Sequence, residues 1–171
     1  MPRIHTCSLS KLEETARATG AKSLVTLINV NTPVTTPETI ARDRHLFVGL
    51  SDITHAQDGH VLPEHAHVAQ LLAFVRAWDQ REPLLIHCYA GVSRSTAAAY
   101  ISYCALHPQA CEREVAQLLR QLSPTATPNA RLVELADAHL QRDGRMIAAI
   151  QEIGRGEDCF EGTPFAFEVA A

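Results

Sequence analysis

At 171 residues with 46% hydrophobic side chains, the chain has enough length to bury one sizeable core and little left over for a second. Its net charge of −4 argues against a partner held by bulk positive charge, so neither nucleic acid nor an anionic membrane is expected to bind. No apolar run reaches membrane-spanning length, and residues 1–7 lack the apolar core of a signal peptide. Cys7, Cys88, Cys104, Cys111 and Cys159 are odd in number and contain no Cys-x-x-Cys pair, which points to reduced thiols and a cytoplasmic location.

In chain order, residues 4–8 read as a short strand, and Ser10 with Glu13 has capping-box spacing for a helix ending near Gly20. Residues 23–29 form a run with the composition of a buried strand. Residues 31–39, with Pro33, Pro37 and several threonines, read as a loop before another strand at 45–50. Pro63 suits the first turn of a helix, in which Val68, Leu71, Leu72 and Val75 recur at helical spacing and which ends near Trp78. A strand at 84–88 leads into a helix from about Ser93, where Ala97, Ala98 and Ala99 permit close packing. Further helices are predicted at 112–122, 130–140 and 145–153. Strands alternating with helices give an α/β fold with a central, mostly parallel sheet flanked by helices, and such sheets bind ligands at the C-terminal ends of their strands. Residues 1–154 are expected to form a single domain. Residues 155–171 are expected to be an irregular tail, which Phe160, Phe165 and Phe167 could dock onto it.

The most informative stretch is residues 84–95, where an apolar strand ends at Cys88, turns at Gly91 and reaches Arg94 and Ser95 as a helix begins. Successive backbone N–H groups in such a loop converge on an anion, and a helix N-terminus adds its own unpaired donors and positive dipole. A thiol in that setting favours the thiolate, which is the nucleophilic form. Arginine adds a planar fork that matches two phosphate oxygens.

The pattern His87-Cys88-x-x-Gly91-x-x-Arg94-Ser95 resembles the signature loop of the cysteine-dependent protein tyrosine phosphatases, and the compact frame resembles the dual-specificity branch. The resemblance implies hydrolysis of phosphotyrosine, or of phosphoserine and phosphothreonine, through a phosphocysteine on Cys88. Tyr89, Ala90, Gly91, Val92, Ser93 and Arg94 would hold the phosphate, and Ser95 would turn its hydroxyl to the sulfur as the phosphocysteine breaks down. His87 would brace the loop. The family draws the leaving-group proton from an aspartate on an upstream loop. Asp52, which ends the apolar run 46–51, is placed ahead of Asp58, a good turn residue before Gly59, and of Asp79 at a helix end. Asn129 reads equally as a pocket residue and as a helix N-cap.

The proximity of His55, His60, His65 and His67 raises a metal site, but His65 and His67 point to different helix faces and nothing completes a ligand spacing. No metal or cofactor is expected, because Arg94, the loop amides and the helix dipole neutralise the phosphate. The expected partner is a phosphorylated protein or a small phosphoester. The loop carries no additional Lys or Arg, which argues against inositol polyphosphates, and the acidic chain lacks the basic clustering of an RNA 5′-triphosphatase. Two other classes remain open. One is a non-catalytic phosphoprotein-binding module. The other is a thiol enzyme such as an arsenate reductase or a sulfurtransferase, the former needing a resolving cysteine. Cys104 lies about 15 Å down the helix from Arg94, which leaves Cys7 for that task.

Overall fold

In the computed structural model, which describes residues 1–169, the strands are β1 (Arg3–Cys7), β2 (Ser23–Ile28), β3 (His45–Gly49), β4 (Leu84–His87) and β5 (Phe165–Glu168). The helices are α1 (Leu12–Thr19), α2 (His65–Ala77), α3 (Arg94–Leu106), α4 (Glu112–Leu122), α5 (Ala130–His139) and α6 (Arg145–Ile153). The strands form one sheet in the order β3-β2-β4-β1-β5. β1 to β4 are mutually parallel, and β5 runs antiparallel to β1. The α/β class and the mostly parallel sheet agree with the sequence reading.

Every residue of β2 and of β4 is buried, as expected of parallel strands covered on both faces. On one face α3 crosses the sheet, its small Ala97, Ala98 and Ala99 letting it approach while Tyr100 and Ile101 fill the space beneath α2, α4 and α5. The other face carries a smaller core, in which Leu12 and Ala16 of α1 meet Leu24, Leu85 and Cys7. Parallel strands end together, so the residues following β1, β2, β3 and β4 gather at one edge of the sheet. Those residues are Ser8, Asn29, the segment 50–52 and Cys88.

Two expectations are corrected. The segment after residue 154 is not irregular throughout, because residues 165–168 add the fifth strand to the sheet. Alternation puts Phe165 and Phe167 on the same face, where Phe167 is fully buried with its ring 5.2 Å from that of Tyr103. An ion pair of 2.7 Å between Arg3 and Glu168 closes the outer edge. Phe160, by contrast, docks nowhere and is fully exposed. The second correction concerns Ser10, which does not cap α1. Lys11 occupies the N-cap without a side-chain bond, and the Ser10 hydroxyl instead donates to the Glu161 carboxylate. A capping box does form at α2, between Glu64 and His67.

A line of hydrogen bonds ties β2, β3 and β4 together below the loop that follows β4. His87 Nδ1 lies 3.0 Å from the carbonyl oxygen of Cys88, which only accepts, so Nδ1 carries the proton and Nε2 is the acceptor. Thr26 Oγ1, 2.7 Å from His87 Nε2, must therefore donate to it. That leaves Thr26 accepting from His45 Nε2 at 2.7 Å, and His45 Nδ1 accepting from Thr36 Oγ1 at 2.8 Å. Burial holds the His87 pKa down at about 4, with Arg94 and His45 adding repulsion, against a backbone bond to Cys88 that favours the charged form. The unfolded chain takes up a proton near pH 6.5 that folded His87 refuses until about pH 4. Stability is thus full above that window and is lost as pH falls through it, by up to about 3 kcal/mol. Urea unfolding at pH 7.5 and pH 5 is expected to show this loss, and His87→Asn, which retains a donor to the Cys88 carbonyl, is expected to flatten it. An unchanged slope in the variant would assign the pH dependence elsewhere.

Candidate active site

The loop between β4 and α3 is shaped by what happens to its carbonyls. The Cys88 oxygen is taken by His87 Nδ1, that of Tyr89 by Leu9 N at 3.0 Å and that of Ala90 by Gly162 N at 2.8 Å. The Val92 oxygen accepts from Thr127 N at 2.9 Å and that of Ser93 from Asn129 N at 3.2 Å. With these carbonyls bound to outside partners, the backbone N–H groups are left over: among the described residues no backbone N–H from Tyr89 to Arg94 donates to another protein group. This is an anion cradle with its donors unspent. Gly91 holds the tightest point at φ 71°, and a Cβ there would come within 2.9 Å of Ser8 N. Both the backbone angle and the closeness of β1 therefore demand glycine.

Arg94, at the start of α3, is buried. Its Nη1 donates to Asn29 Oδ1 at 2.7 Å and to the Leu50 carbonyl at 2.9 Å, which fixes the plane of the guanidinium. Nε is buried with no partner among the described residues. An unmet donor of this kind costs free energy unless a ligand supplies the acceptor. The Nε edge is also the one with which an arginine grips two oxygens of a single phosphate.

Cys88 is buried at the base of the loop, its Sγ 3.1 Å from Ser95 Oγ. Asp52, just past β3, accepts on Oδ1 from Ser93 Oγ at 2.6 Å and from Asn129 Nδ2 at 2.9 Å. Asn129 also accepts from Leu132 N at 3.0 Å as N-cap of α5. The N-cap reading of Asn129 holds, whereas as a pocket residue it is buried behind Asp52, which it contacts, and does not itself line the cavity. Asp52, Cys88, Tyr89, Ala90, Val92, Ser93 and Arg94 line one cavity of about 520 Å³. Asp58 does not border it and sits in an exposed turn before Gly59. Asp79 lies with Trp78 and Arg44 at another cavity.

Sequence reasoning missed four contributors. Asn29 and the Leu50 carbonyl, which aim Arg94, lie far from it in sequence and belong to no local motif. Cys159 lines the cavity, brought there by the strand pairing of β5. Gly162, opposite Ala90, is where a Cβ would come within 2.5 Å of the Gly91 oxygen. Cys7, whose location the sequence left open, pairs with His87 across the sheet and is buried, and that burial pushes its thiol up to about 12. Three of the clustered histidines have other partners: His67 Nδ1 accepts from Glu64 N at 2.9 Å, His55 Nδ1 lies 2.9 Å from Thr54 Oγ1, and the His65 ring lies 5.1 Å from His139. No three His, Cys, Asp or Glu side chains among the described residues gather as metal ligands do. No helix among them is long and apolar enough to cross a membrane.

A search of curated proteins gives no match. Among solved structures, DUSP15 superposes with a TM-score of 0.63 at 16% identity, covering 91% of this chain and 94% of its own. A point variant of human DUSP28 gives 0.62 at 20% identity, covering 82% and 92%. PTPMT1 in complex with PI(5)P gives 0.58 at 12% identity, covering 78% and 85%. At these identities the likeness is one of fold. The profile of the protein-tyrosine phosphatase family matches residues 37–125, which is more than half of the chain and includes the loop from Cys88 to Arg94. With that match and this loop in the same segment, the chain belongs to the protein-tyrosine phosphatase family.

Proposed function

We propose that the chain removes phosphate from phosphotyrosine, and from phosphoserine or phosphothreonine, in proteins, and does so through a phosphocysteine on Cys88. The observation that carries the reading is the buried, unpartnered Nε of Arg94 at a loop whose amides are likewise unspent. The loop amides and the Nε edge of Arg94 hold the equatorial oxygens. The Cys88 thiolate attacks phosphorus, and the bond to the leaving oxygen breaks as Asp52 gives that oxygen its proton. Asp52 suits this role because Oδ1 takes both hydrogen bonds, from Ser93 and Asn129, and leaves Oδ2 available for a proton. Water then attacks the phosphocysteine with Asp52 as base, and the Ser95 hydroxyl stabilises the departing thiolate. Residues 1–169 act as one catalytic unit, since β5 belongs to the same sheet as the nucleophile. The thiol-redox alternative is disfavoured by the packing of Cys7 within the smaller core, away from solvent.

Cys88→Ser is expected to lower turnover of an aryl phosphate by roughly 10³-fold or more while leaving phosphate binding nearly unchanged, since cradle and arginine remain. Trapping of a phosphorylated enzyme by rapid quench checks the intermediate, and substantial residual turnover would remove Cys88 from its role.

Arg94→Lys keeps the charge but loses the fork, so both substrate affinity and kcat are expected to fall. Asn29→Ala, which removes one of the two acceptors on Nη1 without touching the substrate edge, is expected to give a smaller loss in the same direction. Steady-state kinetics on both variants compare the two.

Asp52→Ala is expected to slow an alkyl or tyrosyl phosphate by ~10²–10⁴ and an ester of a very acidic phenol much less. Asn129→Ala should show the same leaving-group dependence more weakly, together with about 1 kcal/mol of lost helix capping. Asp58→Ala is the control, and a leaving-group effect there but not at Asp52 would exchange the two.

A further inference from the structure

Beside the phosphate cavity, across the ridge formed by Tyr89 and Ala90, lies a second cleft of about 450 Å³, lined by Leu9, Ser10, Tyr89, Ala90, Phe160 and Glu161. Tyr89 is 64% exposed and Phe160 is 104% exposed, so both rings of this cleft are open to water. Exposed aromatic rings at a concave site are what binding surfaces use. The backbone that follows Phe160 is held in position. The next residue, Glu161, accepts from the hydroxyls of Ser8 and Ser10, and Gly162 N donates to the Ala90 carbonyl at 2.8 Å. The ring is thus carried by backbone fastened to the phosphate loop itself.

Resting on the phosphatase reading above, we infer that this cleft takes an apolar side chain of a phosphopeptide, one to three residues from the phosphorylated one, with Phe160 as the specificity-determining residue. The occupant follows from continuity and charge. Tyr89 and Ala90 border both cavities, so a chain whose phosphate lies on the loop must pass over them. Around the phosphate cavity, this cleft and the adjoining hollow near Thr127, the cationic lining residues are Arg94 and Arg155, against Asp52, Glu157, Asp158 and Glu161. Arg155 is itself engaged by Asp158 at 2.5 Å. Such a rim repels polyanions, which disfavours an inositol phospholipid in an acidic membrane and favours a peptide with apolar rather than acidic neighbours.

The test uses the full chain and a set of phosphotyrosyl peptides carrying Leu, Ala or Glu at each of three positions on either side, alongside a small aryl phosphate and vesicles containing an inositol phospholipid. Leu at one flank is expected to raise kcat/KM about tenfold over Ala, through KM. Glu is expected to lower it. Phe160→Ala should erase the Leu advantage and Phe160→Leu should restore part of it, with aryl phosphate turnover unchanged in both; a fully exposed side chain puts little folding free energy at stake. Normal aryl phosphate turnover without any flank preference, or a preference that survives Phe160→Ala, overturns the inference and leaves the phosphatase reading standing. Faster turnover of the vesicles than of every peptide overturns it in favour of a lipid. Absence of turnover on every ester overturns both readings together.

Discussion

Everything at this site depends on holding a loop of backbone so that its donors stay unsatisfied by protein. Left alone, a short loop would spend its N–H groups on nearby carbonyls. Here five of the loop's carbonyls, all but that of Gly91, are captured: four by Leu9 beyond β1, Gly162 before β5, and Thr127 and Asn129 ahead of α5, and the fifth by the His87 ring. The capture is what makes the cradle rigid enough to wait for an anion, so that reorganisation is completed at folding rather than at binding. Arg94 follows the same logic. Asn29 and Leu50 consume one nitrogen so that the remaining edge is aimed and empty.

The strand ends explain why these distant residues are available. A parallel sheet delivers the residues after β1, β2, β3 and β4 to one edge, with β4 at its centre. Asp52 reaches the cavity because β3 ends beside Leu50, and Asn29 because β2 ends next to β4. Asn129 links the cavity to the fold more directly: one end of its amide begins α5 and the other donates to Asp52.

The sequence was most legible where the physics is local. The loop from Cys88 to Ser95 concentrates its chemistry in a few adjacent residues, and α2, α4, α5 and α6 show plain apolar periodicity, so their bounds were read to within a residue or two. The rest depends on pairing across the chain. β5 has only four residues, too few for alternation to stand out, and it becomes a strand because β1 offers an unpaired edge and Tyr103 a place for Phe167. The capping box at Ser10 had the right spacing, but Glu161 competes for the same hydroxyl from a position that no local window contains. The line from Thr36 to His87 was invisible for the same reason, its members sitting on separate strands and a loop.

The placement of β5 joins the least braced strand of the sheet to the most demanding loop. β5 is an edge strand, paired on one side only, and its partner residues Arg3 and Glu168 are separated by 165 positions in the chain. An edge strand loses its ladder more readily than a central one, since only one neighbour holds it. When β5 opens, β1 to β4 keep their pairing and the larger core keeps most of its members, yet the segment carrying Glu161 and Gly162 loses its anchor and the Ala90 carbonyl its donor. The loop then has a carbonyl free to turn inward among its own amides. The fold and the anion cradle therefore have different breaking points, and the cradle is set by the weaker one.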